Sequence, residues 1–280
     1  MTPLAPLRDV IATHSLAARK GLGQHFLLDL NVTAKIARLT EAGPGDLVVE
    51  VGPGPGGLTR ALLDTGADVF AIERDDRIGP VLGELQTAYD GRLDWVLADA
   101  LRTHEPTHLS GRSAIVASNL PYNISTELLI KWLTAEPRWW TRMVLMFQRE
   151  VGARILSAPG TKAYGRLSVI AQAASHPTLG FHLPARAFTP PPKVDSSVLL
   201  FEATPVPPYL PALERVTAAA FGQRRKMVRT SLSPIFGNDL SGALARAGVA
   251  ATARAETITV AQYVTLAEIA RSRQDDAHDW

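Results

Sequence analysis

From Asp46 onward the chain repeats one pattern: a short apolar run closed by a glycine, an acid or an amide, then a segment with apolar residues three and four apart. The runs read "DLVVEVG", "DVFAIE", "LDWVLAD", "SAIVASN" and "MVLMFQ", with "GLTRALLDTG", "IGPVLGELQTAY" and "STELLIKWL" between them. Continuous apolar runs suit strands buried on both faces, and the intervening segments carry the helical period. Strand and helix alternating over roughly a hundred residues predict an α/β fold with a mainly parallel, doubly wound sheet. Ser125 is placed to cap the helix of "STELLIKWL", whose buried stripe is Leu128, Leu129, Trp132 and Leu133.

The pattern stops at "FEATPVPPYLP", where Pro205, Pro207, Pro208 and Pro211 break any regular element. This joint divides the chain into domains 1–204 and 205–280. Beyond it "ALERVTAAAFGQRRKMVRTSL", "DLSGALARAG" and "TVAQYVTLAEIARSR" read as helices. The last opens on a capping box, Thr259 with Gln262, and runs an apolar stripe through Val260, Tyr263, Val264, Ala267 and Ala270.

Composition adds limits. The 280 residues are 46% hydrophobic and 20% charged, ordinary for a soluble globular protein, and contain no cysteine. Disulfides and thiolate metal sites are therefore excluded. No segment holds about eighteen uninterrupted apolar residues, so a cytoplasmic, non-membrane protein is expected. Net charge is only +2, but Arg224, Arg225, Lys226 and Arg229 bunch within one stretch of predicted helix, while Asp275, Asp276 and Asp279 offset part of that charge near the end. A phosphate-bearing partner is compatible with this distribution, and the whole-chain charge neither requires nor forbids one.

The first strand runs into Gly52-x-Gly54-x-x-Gly57. Glycines there allow positive φ and a close approach to a ligand. Alone the motif serves NAD, FAD and S-adenosylmethionine proteins alike, and some matches are only tight turns. Glu73 closes the next run, about twenty residues on, where an acid can accept ribose hydroxyls. Asp99 closes the third, placed to accept from an adenine amino group. Singly each is an ordinary solvated acid; three successive strand ends together suit an adenosine. No phosphate-clamping lysine follows the glycines, which leaves a dinucleotide or S-adenosylmethionine.

"SNLPYNIST" ends the fourth run with an amide, a proline and an aromatic ring. An exocyclic adenine nitrogen is a poor nucleophile because its lone pair is delocalised into the ring. If Asn119 Oδ1 and the Leu120 carbonyl accept its two hydrogens, the nitrogen can pyramidalise toward a methyl group. Pro121, with fixed φ and no N–H, steadies that carbonyl, and Tyr122 offers a face for the base. Positioning then replaces a strong base. Read without its surroundings, the stretch is a strand-ending turn.

With these residues in place the chain resembles the bacterial KsgA (RsmA) family of small-subunit ribosomal RNA adenine N6,N6-dimethyltransferases. The likeness runs from about residue 19 to 270 through "RKGLGQHFLLD", "VVEVGPGPGGLT", "AIERD", "ADAL", "SNLPYNIST", "MFQREVGARI", "KAYGRLSV", "FTPPPKVDSSVL" and "FGQRRKMVR". It implies a class I S-adenosylmethionine-dependent methyltransferase (Rossmann-like) fold, a small all-α C-terminal RNA-binding domain, and transfer of four methyl groups to two adjacent adenines in a hairpin loop near the 3′ end of 16S rRNA. By motif match the donor, which leaves as S-adenosylhomocysteine without metal, is contacted by His25, Leu27, Gly52, Gly54, Glu73, Asp99, Ala100 and Asn119. Phe188 pairs with Tyr122 around the flipped base; taken without the family, it reads equally well as a core phenylalanine. Arg224, Arg225, Lys226 and Arg229 meet rRNA phosphates, against the plain reading of a solvated helix face. The implied partner is an immature 30S subunit, with no DNA and a monomeric enzyme. One departure is His25, where the family usually has Asn. Rival readings are an Erm-type 23S rRNA adenine methyltransferase, a non-catalytic RNA-binding assembly factor, and, from the glycines and Glu73 alone, a nicotinamide dehydrogenase.

Overall fold

Seven strands form one sheet: Leu47–Val51 (β1), Asp68–Glu73 (β2), Leu93–Leu97 (β3), Ala114–Ser118 (β4), Trp140–Gln148 (β5), Ser175–Leu183 (β6) and Ser196–Ala203 (β7). This computed structural model describes residues 4–205 and 209–278. The strand order is β3-β2-β1-β4-β5-β7-β6. The five strands from β3 to β5 run parallel, and β7 is antiparallel to β5. Sequence order reverses between β1 and β4, so their carboxyl ends flank the crevice where ligands of open α/β sheets bind.

Helices Leu7–Thr13 (α1), Leu30–Thr40 (α2), Gly57–Leu63 (α3), Gly79–Ala88 (α4), Ser125–Leu133 (α5), Arg149–Ile155 (α6) and Arg166–Ala174 (α7) follow in chain order. Every residue of β1 is buried, which is why "LVVEV" shows no alternation. Val48, Val69, Ala117 and Val144 pack with Ile36, Leu58, Leu62 and Leu82 in one continuous core. In α5 the predicted stripe Leu128, Leu129, Trp132 and Leu133 is fully buried. Ser125 opens that helix differently from expectation: its hydroxyl donates to the Tyr122 carbonyl (3.1 Å) and so ties the helix back to the turn before it. A ribbon of two-residue strands, Phe26–Leu27 against Phe188–Thr189, brings the N-terminal segment onto the sheet's carboxyl edge.

The chain divides into two compact units, one of residues up to Trp132 with Trp139–Gly152 and Thr178–Glu202, the other of Leu133–Arg138, Ala153–Pro177 and the residues from Ala203 on. The last crossing between the units, at Glu202/Ala203, lies beside the proline joint; the second unit also takes in Leu133–Arg138 and Ala153–Pro177, because α7 packs with the later helices Leu210–Gly222 (α8) and Val260–His278 (α12). Pro207, Pro208 and Asp279 lie outside the described residues. Between α8 and α12 come Val228–Ser231 (α9), Ser233–Phe236 (α10) and Leu240–Arg246 (α11).

The single helix expected through "ALERVTAAAFGQRRKMVRTSL" is broken. It stops at Gly222, and Met227 is extended (φ −68°, ψ 148°) in a bridge with Arg254. The Val228 N–H donates to the Ala253 carbonyl (2.8 Å), a tertiary bond that replaces the helical one. The capping box forms as read: Gln262 N–H donates to Thr259 Oγ1 (3.2 Å) and Thr259 N–H to Gln262 Oε1 (3.0 Å). Tyr263, Ala267 and Ala270 of the α12 stripe are buried and Val260 and Val264 half-buried.

The second unit closes on a polar–aromatic knot. Tyr164 and Tyr263 hydroxyls donate to the carbonyls of Ile258 and Ala255, each at 2.9 Å, and Phe221 stacks on Tyr263 at 5.7 Å. Tyr263→Phe removes one of these bonds and leaves the Ala255 carbonyl only the longer bond from Ile258 N–H (3.4 Å). A loss of about 1–2 kcal/mol in urea unfolding is expected, with unchanged circular dichroism.

Candidate active site

The carboxyl ends of β1, β2, β3 and β4 enclose a cleft of about 1020 Å³, measured out to solvent, walled on the remaining side by residues 21–27. Its floor is the glycine turn. Gly52, Gly54 and Gly56 adopt φ of +71°, +52° and +85°, a conformation that side chains disfavour. Gly57 is required by space instead: a Cβ there would stand 2.9 Å from the Leu27 carbonyl. The turn is thus built to let the N-terminal strand lie directly on it.

Glu73 binds this floor to the end of β2. Its Oε1 accepts from the Arg74 and Asp75 N–H groups (2.8 Å each) and its Oε2 from Gly54 N–H (3.3 Å). Burial raises its pKa, and these backbone donors oppose the rise. Asp75 is handled differently. Its carboxylate is paired with Arg77 and accepts from Gln24 Nε2 (3.0 Å), and the Arg77 hydrogen bond, with help from Gln24, lowers its pKa to about 2. Gln24 is thereby fixed in the cleft wall, a link the sequence did not disclose. Asp99 lies at the end of β3; its Oδ1 accepts from Leu101 N–H (3.1 Å) and its Oδ2 is 3.7 Å from Arg74 Nη1. Ala100 is beside it in the wall.

On the other side stands the amide. Asn119 Nδ2 donates to the His25 carbonyl (3.1 Å), which leaves Oδ1 as the acceptor. Ser118 Oγ donates to the Val51 carbonyl (2.5 Å), locking the base of the motif to β1. Pro121 sits over the glycine turn, 3.7 Å from where a Gly52 Cβ would be. Leu120 is buried. The Tyr122 hydroxyl pairs with Ser196 Oγ (2.6 Å), and burial raises its pKa so that it remains a phenol.

His25 sits between these groups. Its Nδ1 is 2.8 Å from the Pro190 carbonyl, which can only accept, so Nδ1 carries the hydrogen and Nε2 is the open acceptor of the neutral ring. The ring stacks on Tyr122, with centroids 5.7 Å apart and planes at 30°. Phe188, expected to pair with Tyr122, is elsewhere. It is buried in the core beside Leu27 and Leu183 and does not line the cleft, because the ribbon register turns its side chain into the apolar cluster. Arg224 is also committed to the protein, donating to the Lys162 carbonyl (2.9 Å) with Glu256 3.7 Å away; Arg225, Lys226 and Arg229 are exposed, on a turn and on α9. Among the described residues no group of three or more His, Asp or Glu side chains is arranged to hold a metal ion.

One wall residue escaped sequence reading. Glu50 is 1% exposed within β1, and its Oε2 has no hydrogen-bond partner. Burial above all pushes its pKa up to about 8; the Thr59 hydroxyl beside it opposes the rise, and the nearby Glu73 charge adds to it. The available signal was an acid inside an otherwise apolar buried strand, two residues before the glycines. A buried carboxyl with one oxygen unpartnered fits a cationic group in the cleft, and the positive-φ glycines fit a ligand held close to the backbone.

The strand order, the glycine turn after β1 and the acids closing β2 and β3 define a class I, S-adenosylmethionine-dependent methyltransferase fold. A dimethyladenosine transferase from Plasmodium falciparum superposes with a TM-score of 0.73, covering 89% of this chain and 98% of that one at 21% identity. The 23S rRNA methyltransferase ErmE superposes at 0.66, covering 87% and 98% at 27% identity. The ribosomal RNA adenine dimethylase family matches residues 15–272. The Ribosomal RNA small subunit methyltransferase A of Phenylobacterium zucineum is 53% identical over 97% of this chain and 95% of its own. That of Caulobacter vibrioides is 56% identical over 89% and 96%. The chain belongs to the ribosomal RNA adenine dimethylase family.

Glu50 gives a signed pH dependence. Its folded-state pKa is raised, so the ligand-free fold loses stability as pH climbs from the ordinary carboxyl range toward about 8 and loses no more above it. Glu50→Gln should match the wild-type melting temperature near pH 4.5 and exceed it at pH 8, by about 2–4 °C for each kcal/mol relieved. Equal melting temperatures at both pH values contradict the assignment.

Proposed function

We propose that this protein is an S-adenosylmethionine-dependent enzyme that dimethylates the N6 amines of two adjacent adenosines near the 3′ end of 16S rRNA, during assembly of the small ribosomal subunit in the cytoplasm. The observation that carries the reading is Asn119: its amide nitrogen is spent on the His25 carbonyl, and its oxygen is left as an acceptor in a cleft floored by the glycine turn.

The nucleoside of the donor would lie along Glu73, Asp99 and Ala100, with Glu50 toward its ammonium. Bound there, S-adenosylmethionine supplies a methyl group on a sulfonium and is converted to S-adenosylhomocysteine. Asn119 Oδ1 and the Leu120 carbonyl accept the two hydrogens of the target amine, which frees its lone pair for the methyl carbon. These acceptors strengthen as charge develops on nitrogen, and the alkylated amine then releases a proton to solvent. Tyr122 takes one face of the extruded base. Phe188 can supply the other only by leaving the core, whereas His25 already stacks on Tyr122. In the second unit, exposed Arg225, Lys226 and Arg229 are suited to rRNA phosphates. Arg224 would hold their turn in place.

The preference for the small subunit is supported by identities above 50% to proteins bearing that name, against 27% for ErmE. Incubation with labelled S-adenosylmethionine and unmethylated 30S subunits should label two neighbouring adenosines. Labelling of 23S rRNA or 50S subunits alone would reject the substrate, and no labelling of either would favour a non-catalytic assembly factor. Asn119→Ala should lower kcat by about 10²–10³ while leaving RNA binding unchanged.

A further inference from the structure

The turn that follows β3 presents Asp99 and Ala100 to the cleft. Its internal bonds make it one piece: Asp99 Oδ1 accepts from Leu101 N–H, and the Asp99 carbonyl accepts from Arg102 N–H (2.9 Å), Thr103 N–H (3.0 Å) and Thr103 Oγ1 (3.0 Å). Against the rest of the cleft the turn's own side chains supply one long, solvent-exposed ion pair, Asp99 Oδ2 to Arg74 Nη1 at 3.7 Å.

A side chain of α5 fixes where that piece stands. Lys131 Nζ donates to the Ala100 carbonyl (2.8 Å), to the Thr103 carbonyl, and to Glu105 Oε1 (2.8 Å). An ammonium has three hydrogens, and all three are used on this one segment. Glu105 is 1% exposed, and the same Oε1 accepts from the indole of Trp132 (2.7 Å), the next residue of α5. Trp132 is itself fully buried, and its carbonyl accepts from Trp140 Nε1 (2.6 Å) of β5. At its other end α5 begins at Ser125, bonded back to the Tyr122 carbonyl. The helix that leaves the Asn119–Tyr122 motif therefore also grips the turn carrying Asp99 and Ala100.

We propose that Lys131 is a positioning residue that sets the nucleoside end of the methyl-donor site by clamping the Asp99–Glu105 segment to α5. The inference rests on the reading that S-adenosylmethionine occupies the cleft. A shift of about an ångström in a positioning group is enough to weaken a site by one or two orders of magnitude. The effect belongs to binding of the donor, because Lys131 touches neither the amide nor the base-stacking ring.

Two variants test it. Lys131→Met leaves Glu105 a buried carboxylate without its counter-ion, so the double variant Lys131→Met/Glu105→Gln, which strands no charge, is the control for folding. Calorimetric titration of each folded variant with S-adenosylhomocysteine and with 5′-deoxy-5′-methylthioadenosine, which lacks the amino-acid end, should show both affinities weakened by the same factor, about tenfold or more. In turnover the KM for the donor should rise while kcat at saturating donor stays within twofold. A folded double variant that binds both nucleosides as tightly as the wild type overturns the role of Lys131, as does a fall in kcat with an unchanged KM. If the wild-type protein binds neither nucleoside, the reading of the cleft itself fails instead.

Discussion

The cleft depends on which end of one side-chain amide faces the substrate. An asparagine presents an acceptor and a donor of nearly the same shape, and an amine gains nucleophilic character only from the acceptor. The bond from Asn119 Nδ2 to the His25 carbonyl, between residues 94 positions apart, decides the matter. That carbonyl is in place because Phe26 and Leu27 pair with Thr189 and Phe188, and because the His25 ring is held between the Pro190 carbonyl and Tyr122. The N-terminal segment is therefore part of the cleft. A shift of the ribbon would turn an acceptor into an uncommitted amide without altering any residue of the motif.

Three acids stand in or just behind the wall of the crevice formed by β1 and β2, and each is accommodated differently. Asp75 is neutralised by Arg77, Glu73 is held by three backbone N–H groups, and Glu50 keeps one oxygen with no partner. The first two stabilise the walls, because a carboxylate that accepts several charge-matched bonds fixes whatever donates them. Glu50 does the reverse. A buried carboxylate oxygen without a partner is a local defect, and defects in a cleft wall are expected where a ligand completes the structure.

The sequence made the parallel part of the central sheet legible because its strands are short apolar runs, and "LVVEV" could hardly be anything else; Ser175–Leu183, largely exposed, and Ser196–Ala203 were not read from it. It made Glu73, Asp99 and Asn119 legible because they interrupt those runs at their ends. Other features depended on tertiary structure. Glu50 is hidden within a strand, and no local pattern distinguishes an acid with a partner from one without. The bonds from Gln24 to Asp75 and from Lys131 to the turn after β3 join residues whose spacing carries no period. Phe188 lies in the core and the His25 ring lies against Tyr122, an arrangement set by the register of a two-residue ribbon rather than by any local pattern. The broken helix after Gly222 had ample helical propensity on paper; backbone bonds to residues 251–253 outweighed it.

That break changes how the basic cluster is presented. On one long helix, Arg224, Arg225, Lys226 and Arg229 would fan around the axis, and only some could face a common partner. On the observed turn, Arg224 is drawn inward to the Lys162 carbonyl and Glu256, and the Lys226 N–H closes onto the Gln223 carbonyl (2.8 Å). Val228 and Arg229 are held by the turn at 251–253. Backbone order at the turn is thus established by the protein alone, and three exposed cations remain on a short, pinned arc. Long side chains still lose rotamer freedom on meeting phosphate, but the chain that carries them need not be ordered at the same time. A pinned arc of this kind favours recognition of backbone shape over base sequence, the mode suited to a structured RNA element.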